Sequence, residues 1–267
     1  MTALDADRLR TELATAGPYT ALDVVASTGS TNADLCDAAR DGAPDRTVLI
    51  AEEQTAGVGR LARTWVSPAG AGLYVSVLLR PAEVPPTATG SLAIVAGLAL
   101  ADLCAELGVD ATLKWPNDVL VGGGKLAGVL AELVAQQDNQ AVVLGIGLNV
   151  NPVGDVEPGP GGLAATSLAE CGARTADRTE VALRLLRALA EREAAWRTAR
   201  GDLAEAGMLD AYRRVCGTIG RAVTVSMPEE KSLTGTAVDL DAVGRLSVED
   251  DDGRRTTVLA GDVIHLR

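Results

Sequence analysis

Histidine occurs once in the 267 residues, at His265, and phenylalanine does not occur. One histidine leaves almost no room for a His-based triad or a His-ligated metal. The alternating pattern around His265 reads as an ordinary strand position. Lysine is nearly as scarce: Lys114, Lys125 and Lys231 are the three in a Lys+Arg total of 24, leaving 24 − 3 = 21 arginines. Arginine supplies the bulk positive charge, so two lysines eleven positions apart suggest sites that require a compact point charge instead of a planar fork. The four cysteines (Cys36, Cys104, Cys171, Cys216) lie far apart, with neither CxxC nor zinc-ligand spacing. They read as reduced thiols of a cytoplasmic protein, mostly packing residues. The longest apolar run, Leu92 to Ala101, is too short for a bilayer and stops at Asp102. Met1 to Arg8 has no basic segment followed by an apolar one, so neither export nor a membrane partner is expected. Basic excess is also missing. A net charge of −12 and a pI near 4.6 argue against a general nucleic-acid surface.

What is present is enough apolar sequence for a substantial core. Helical spacing runs from Leu4 to Ala16, closed by Gly17-Pro18, and from Ser30-Thr31-Asn32, which offers capping side chains, to Asp41 before Gly42. Helices are also expected over Ala88–Leu107, Thr179–Arg200 and Asp202–Cys216. Strands are expected at Leu22–Ala26, Thr47–Ala51, Leu73–Leu79, Ala111–Lys114, Leu126–Ala135 and Ala141–Asn149, the last two joined by a turn at Gln136–Gln140. Asn151 to Gly162 is rich in Pro and Gly, either a loop near a ligand or a plain connector. After Gly217 the pattern changes to short strands at Ala222–Ser226, Leu233–Leu240, Arg245–Glu249, Thr256–Leu259 and Val263–Leu266. The chain is therefore read as α+β, a mixed-sheet domain over 1–216 and a small β-barrel over 217–267.

Five segments carry chemistry. Gln54-Thr-Ala-Gly-Val-Gly-Arg-Leu-Ala-Arg-Thr-Trp65 follows a buried strand. Gly57 and Gly59 would let the backbone approach a ligand and present N–H groups, while Arg60 and Arg63 are forks suited to phosphate or carboxylate. A surface loop with solvated arginines explains that segment about as well. Ser30-Thr31-Asn32 gathers three hydrogen-bonding side chains at a strand-to-helix junction, where a helix cap is part of the reading. Lys114-Trp-Pro-Asn-Asp118 sets a cation, an aromatic, an amide and a carboxylate on one turn. Gly122-Gly-Gly-Lys-Leu-Ala-Gly128 puts Lys125 among glycines, which a solvated hairpin would also explain. Gly145-Ile-Gly-Leu-Asn-Val-Asn151 ends a strand with small residues and two asparagines. The order GxxxxGK[ST] of a nucleotide P-loop is absent, and Gly57-Val-Gly59 lacks the third glycine and the helix of a dinucleotide fingerprint.

Taken together and in this order, the five segments resemble the catalytic domain of biotin–protein ligases, over about Val24 to Asn151. The tail from Gly217 resembles that family's SH3-like C-terminal domain. The resemblance implies two steps: formation of biotinyl-5′-AMP from biotin and ATP, then transfer of biotin to a lysine of the biotin carboxyl carrier domain of a carboxylase. It implies Lys125, Arg60, Asp118 and Lys114 as catalytic groups. The biotin side would be Ser30, Thr31, Asn32, Gln54, Gly57, Val58, Gly59, Arg60 and Lys125. The ATP side would be Arg60, Arg63, Trp65, Asn117, Lys125, Asn149 and Arg267, with Asp118 as a Mg²⁺ ligand or an orienting group for the amine. Only one helix and one strand precede Ser30, so the operator-binding winged helix of some family members is not expected, nor a nucleic-acid partner. Either a monomer or a homodimer is compatible.

Two departures stand out. Val58 replaces a usual arginine of the loop, and Ala62 sits where glycine or a polar residue is common. A lipoate or octanoate ligase of the same fold is one alternative. A biotin-binding protein with chemistry impaired by Val58 is another.

Overall fold

A computed structural model describes residues 2–135, 140–154, 156–159, 162–226, 232–259 and 261–266. Residues 136–139 of the expected turn at Gln136–Gln140, and Arg267, lie outside the described residues.

Seven strands form a mixed sheet: β1 Ala21–Val25, β2 Thr47–Ala51, β3 Gly72–Leu79, β4 Thr112–Lys114, β5 Asp118–Val121, β6 Gly124–Val134 and β7 Ala141–Asn149. Their order is β1-β2-β3-β7-β6-β5-β4; β1 and β2 run parallel and the other pairs antiparallel. Both faces are covered, which is why β3 and β7 read as continuous apolar runs instead of alternating ones. On one face Val75, Val77, Leu79, Val142 and Leu144 join the main core. That core includes helices α3 (Leu92–Glu106) and α4 (Arg178–Thr198). On the other face Leu78, Val134, Ala141 and Val143 pack with Leu35, Cys36 and Ala39 of α2 (Thr31–Arg40).

Helix α3 continues a 3₁₀ segment, Pro86–Ser91; the 21 residues together are long and apolar enough to cross a membrane, with mean hydropathy 1.7. Here they form a core helix packed against α4. A buried ion pair fixes the start of α4: Arg178 meets Glu52 at 2.5 Å and donates to the Thr2 carbonyl, while Glu52 also accepts from the Leu4 amide at 2.6 Å.

Several expectations need correction. The first helix is an α-turn, α1 (Ala6–Leu9), that widens into a π-helix over Arg10–Thr15. Ser30 is the N-cap of α2 by position but makes no side-chain capping bond. The last helix, α5, covers only Met208–Val215. Before it the Asp202 carboxylate accepts from the amides of Ala204 and Glu205, and Gly207 has φ 69°, so 202–207 is a turn. Strand β5 is not among the expected strands; its four residues gain their extended form from pairing with β4 and β6 on either side.

The tail forms a five-stranded antiparallel sheet: β8 Ala222–Ser226, β9 Ser232–Leu240, β10 Leu246–Glu249, β11 Arg255–Val258 and β12 Asp262–His265, in the order β11-β10-β9-β8-β12. It is tied to the first sheet at the edge strand β4, where the Gly217 amide donates to the Leu113 carbonyl at 2.8 Å. Trp115, 2 % exposed, donates its indole N–H to the Gly244 carbonyl at 2.9 Å.

Candidate active site

Antiparallel pairing makes residues directly opposite each other share a face. Continuing the α2 face beyond Leu78↔Val143, the next pairs are Ser76↔Gly145 and Tyr74↔Gly147, with Leu130 and Gly128 of β6 opposite the same glycines. Side chains therefore vanish where the face passes the start of α2, and a cavity of about 520 Å³ opens over a glycine floor. The floor must be bare. A Cβ on Gly145 would come within 2.1 Å of the Asn32 Oδ1, and one on Gly147 within 2.4 Å of the Trp65 ring.

The start of α2 brings Ser30, Thr31 and Asn32 to one end of this cavity, all buried. The Gln54 Oε1 accepts from the Thr31 amide at 2.9 Å and lies 3.1 Å from the Thr31 hydroxyl, while its Nε2 donates to Ser67 at 3.0 Å. Asn32 donates to Glu132 at 2.6 Å and accepts from Ser76 at 2.6 Å; the Ser76 hydroxyl also lies 2.7 Å from that of Thr31. Ser76 is fully buried and was not expected from the sequence, where it is one polar residue inside an apolar strand. A lone serine in an apolar strand, here directly opposite Gly145, is the signal that could have found it.

The other end of the cavity is cationic. Lys125, the second residue of β6, pairs with Asp118 at 2.6 Å, and its ammonium lies 5.5 Å from the centroid of Trp65. Its backbone amide donates to the Ala164 carbonyl at 2.7 Å, so residues 164–166 run alongside it. Lys114 lines the same wall, and burial lowers its basicity, with the nearby Lys125 and Arg63 acting in the same direction and the carboxylates of Asp118 and Asp262 opposing. Burial also pulls Arg60 down, though a guanidinium keeps its charge at any ordinary pH. Arg60 donates to the carbonyl of Gly261, the residue before β12, at 3.1 Å, and Arg63 is ion-paired to Asp262, the first residue of β12.

Val58, Gly59 and Trp65 line the cavity as well. Gly57 does not: it is buried beneath the loop, where a Cβ would stand 2.5 Å from the Trp65 carbonyl. Its smallness serves the loop itself. The Gly59 amide is likewise taken, donating to the Arg63 carbonyl at 2.7 Å, so it is not presented to a ligand as expected. Asn117 and Asn149 border the cavity, but their amide groups bond the carbonyls of Val129 and of Thr166. Among the described residues no group of three or more His, Cys, Asp or Glu side chains is placed to hold a metal.

Both parts of the chain are matched in known proteins. Residues 24–149 match the biotin/lipoate A/B protein ligase family, and residues 218–266 match the biotin protein ligase C terminal domain. The biotin–[acetyl-CoA-carboxylase] ligase of Mycobacterium tuberculosis is 48 % identical over 99 % of this chain and 96 % of its own length. The chain belongs to the biotin–protein ligase family.

The bifunctional ligase/repressor BirA of Escherichia coli is 32 % identical over 88 % of this chain and 70 % of that protein. In three dimensions this ligase is similar to the biotin protein ligase of Aquifex aeolicus in complex with biotin and ATP, with a TM-score of 0.76 at 29 % identity, covering 93 % of this chain and all of that one. The α+β reading and the SH3-like assignment of the tail agree with these matches.

Proposed function

We propose that the chain is an ATP-dependent biotin–protein ligase acting on the carrier domain of a carboxylase, with the catalytic domain over 1–216 and the SH3-like domain over 217–267. Free cysteines at all four positions fit a soluble, cytoplasmic enzyme.

The first step brings a carboxylate to the α-phosphate of ATP, forming the mixed anhydride and expelling pyrophosphate. Repulsion between anions is its main obstacle, and cations fixed in place beforehand are the direct remedy. The observation that carries the reading is that Lys125, Lys114, Arg60 and Arg63 line one cavity with the neutral Thr31, Asn32 and Gln54, of which Thr31 and Asn32 are bonded to the buried Ser76. A volume of about 520 Å³ suits ligands of this size. The neutral end matches a urea, which both donates and accepts, with an apolar bicycle behind it. Lys125 stands where carboxylate and α-phosphate would meet, and trades Asp118 for the substrates. In the second step the carrier lysine amine attacks the acyl carbon, AMP leaves, and the amine proton is lost to solvent or to a carboxylate. An acyl adenylate is already activated, so positioning supplies much of the rate and no histidine base is required.

Mg²⁺, when bound, neutralises phosphate charge. It ordinarily takes one or two protein carboxylates and otherwise phosphate and water oxygens. Asp118 fits that limited demand once Lys125 turns to the substrates.

The test is biotin-dependent pyrophosphate release from ATP together with biotin transfer to a purified carrier domain. Lys125→Ala should lower adenylate formation by about a hundredfold or more, the scale of removing one charge-stabilising donor. Pyrophosphate release driven by lipoate or octanoate instead of biotin would overturn the assignment of substrate.

A further inference from the structure

Two cations of the glycine–arginine loop are held by a different part of the chain. Arg63 is ion-paired to the carboxylate of Asp262, and Arg60 donates to the carbonyl of the adjoining Gly261. Gly261 immediately precedes β12 and Asp262 begins it, and Asp262 itself lines the cavity. Its charge also bears on Arg60 and on the buried Lys114. The C-terminal sheet thus presents an anionic oxygen to the same groups that the proposed reaction directs at phosphate.

We infer that Asp262 is a positioning residue that occupies the phosphate-binding arginine of the loop until a nucleotide displaces it, so that nucleotide affinity is set in part by the C-terminal sheet. The inference rests on the ligase reading for the identity of the anion. Without nucleotide, the pair keeps the loop docked and its arginine aimed at the cavity. A triphosphate brings more charge than one carboxylate, so it wins the exchange, but its affinity is reduced by whatever the pair is worth. The Arg63 side chain is 43 % exposed and Asp262 18 %, which places the pair in the weak range for surface ion pairs. That range corresponds to about a two- to fivefold effect on binding.

The experiment uses the full chain as Asp262→Asn, which keeps shape and removes charge, and Asp262→Glu, which keeps charge. The affinity for α,β-methylene-ATP, which cannot be cleaved at the α-phosphate, is measured by calorimetry with biotin present. Asp262→Asn should bind about two- to fivefold tighter than the parent and Asp262→Glu like the parent. Separately, and with no substrate, trypsin should cut after Arg60 and Arg63 faster in Asp262→Asn than in the other two. A merely structural role would weaken binding instead. Unchanged or weaker nucleotide binding in Asp262→Asn, or an unchanged cleavage rate, overturns the inference. Failure of biotin-dependent pyrophosphate release in the parent chain would sink the ligase reading and leave the cleavage result standing.

Discussion

The Ser76 hydroxyl has no water to fall back on: it is fully buried and bonded to both Asn32 and Thr31. Ser76→Ala would leave the Asn32 Oδ1 without its 2.6 Å donor, a loss of about 1–3 kcal/mol for a buried acceptor. The expected outcome is a lower melting temperature and weaker biotin binding with the KM for ATP unchanged, since the cationic end does not touch Ser76. Thermal denaturation and titrations of each substrate would show it. Val58 offers the opposite case. Its side chain is 48 % exposed at the edge of the cavity, so a longer one meets no obstruction. Val58→Arg should tighten biotin binding by about 1–3 kcal/mol if the new fork is hydrogen-bonded to the ligand, and slow escape of free adenylate. Equal biotin affinity and equal adenylate release in the two proteins would count against it.

At the scale of elements, the loop between β2 and β3 is shaped by strain as well as charge. Leu61 and Ala62 both have φ 55°, the left-handed region that costs an ordinary residue about 1–2 kcal/mol. A glycine at 62 would adopt it freely. Ala62→Gly should therefore favour the docked loop by about 1 kcal/mol. Slower tryptic cleavage after Arg60 and Arg63 is the measurement, with faster cleavage the contrary result. Ala62 was legible in the sequence as an oddity, but its conformation was not. The same division runs through the molecule. Long apolar strands such as β3 and β7 were legible because both of their faces are buried. Strand β5 was not, since four residues between two turns carry too little pattern and depend on neighbours distant in space. The rarity of lysine draws attention to Lys114 and Lys125, and both line the cavity. The surroundings of Gly57 were not legible, because what fills its space is a carbonyl eight residues along the chain, brought back by the hairpin hydrogen bond from Trp65 to Gly57. The contacts of Arg60 and Arg63 with β12 were invisible for a related reason: some two hundred residues separate the partners.

Across the whole molecule, the Lys114–Asp118 turn and the C-terminal sheet are joined through Thr218 and the single histidine. The Trp115 amide donates to the Thr218 hydroxyl at 3.1 Å, and that hydroxyl lies 3.1 Å from the His265 Nε2. Since the hydroxyl already accepts from Trp115, its own proton is free to go to a neutral imidazole. Burial, with Lys114 and Arg221 nearby, lowers the pKa of His265 from its ordinary 6.5. The folded chain then binds fewer protons than the unfolded one between the lowered value and 6.5. Stability therefore rises with pH through that window and is lost as pH falls below 6.5. Carboxylates held down by arginines, such as Asp45 and Asp239, lose their contribution only in more acidic solution, from their ordinary 3.8 downward. No second histidine confuses the range. The melting temperature should fall between about pH 7.5 and 5.5 in the parent chain and fall less in His265→Gln, which keeps an acceptor for Thr218 but takes up no proton. Identical pH profiles for the two proteins would mean that His265 does not couple the sheets.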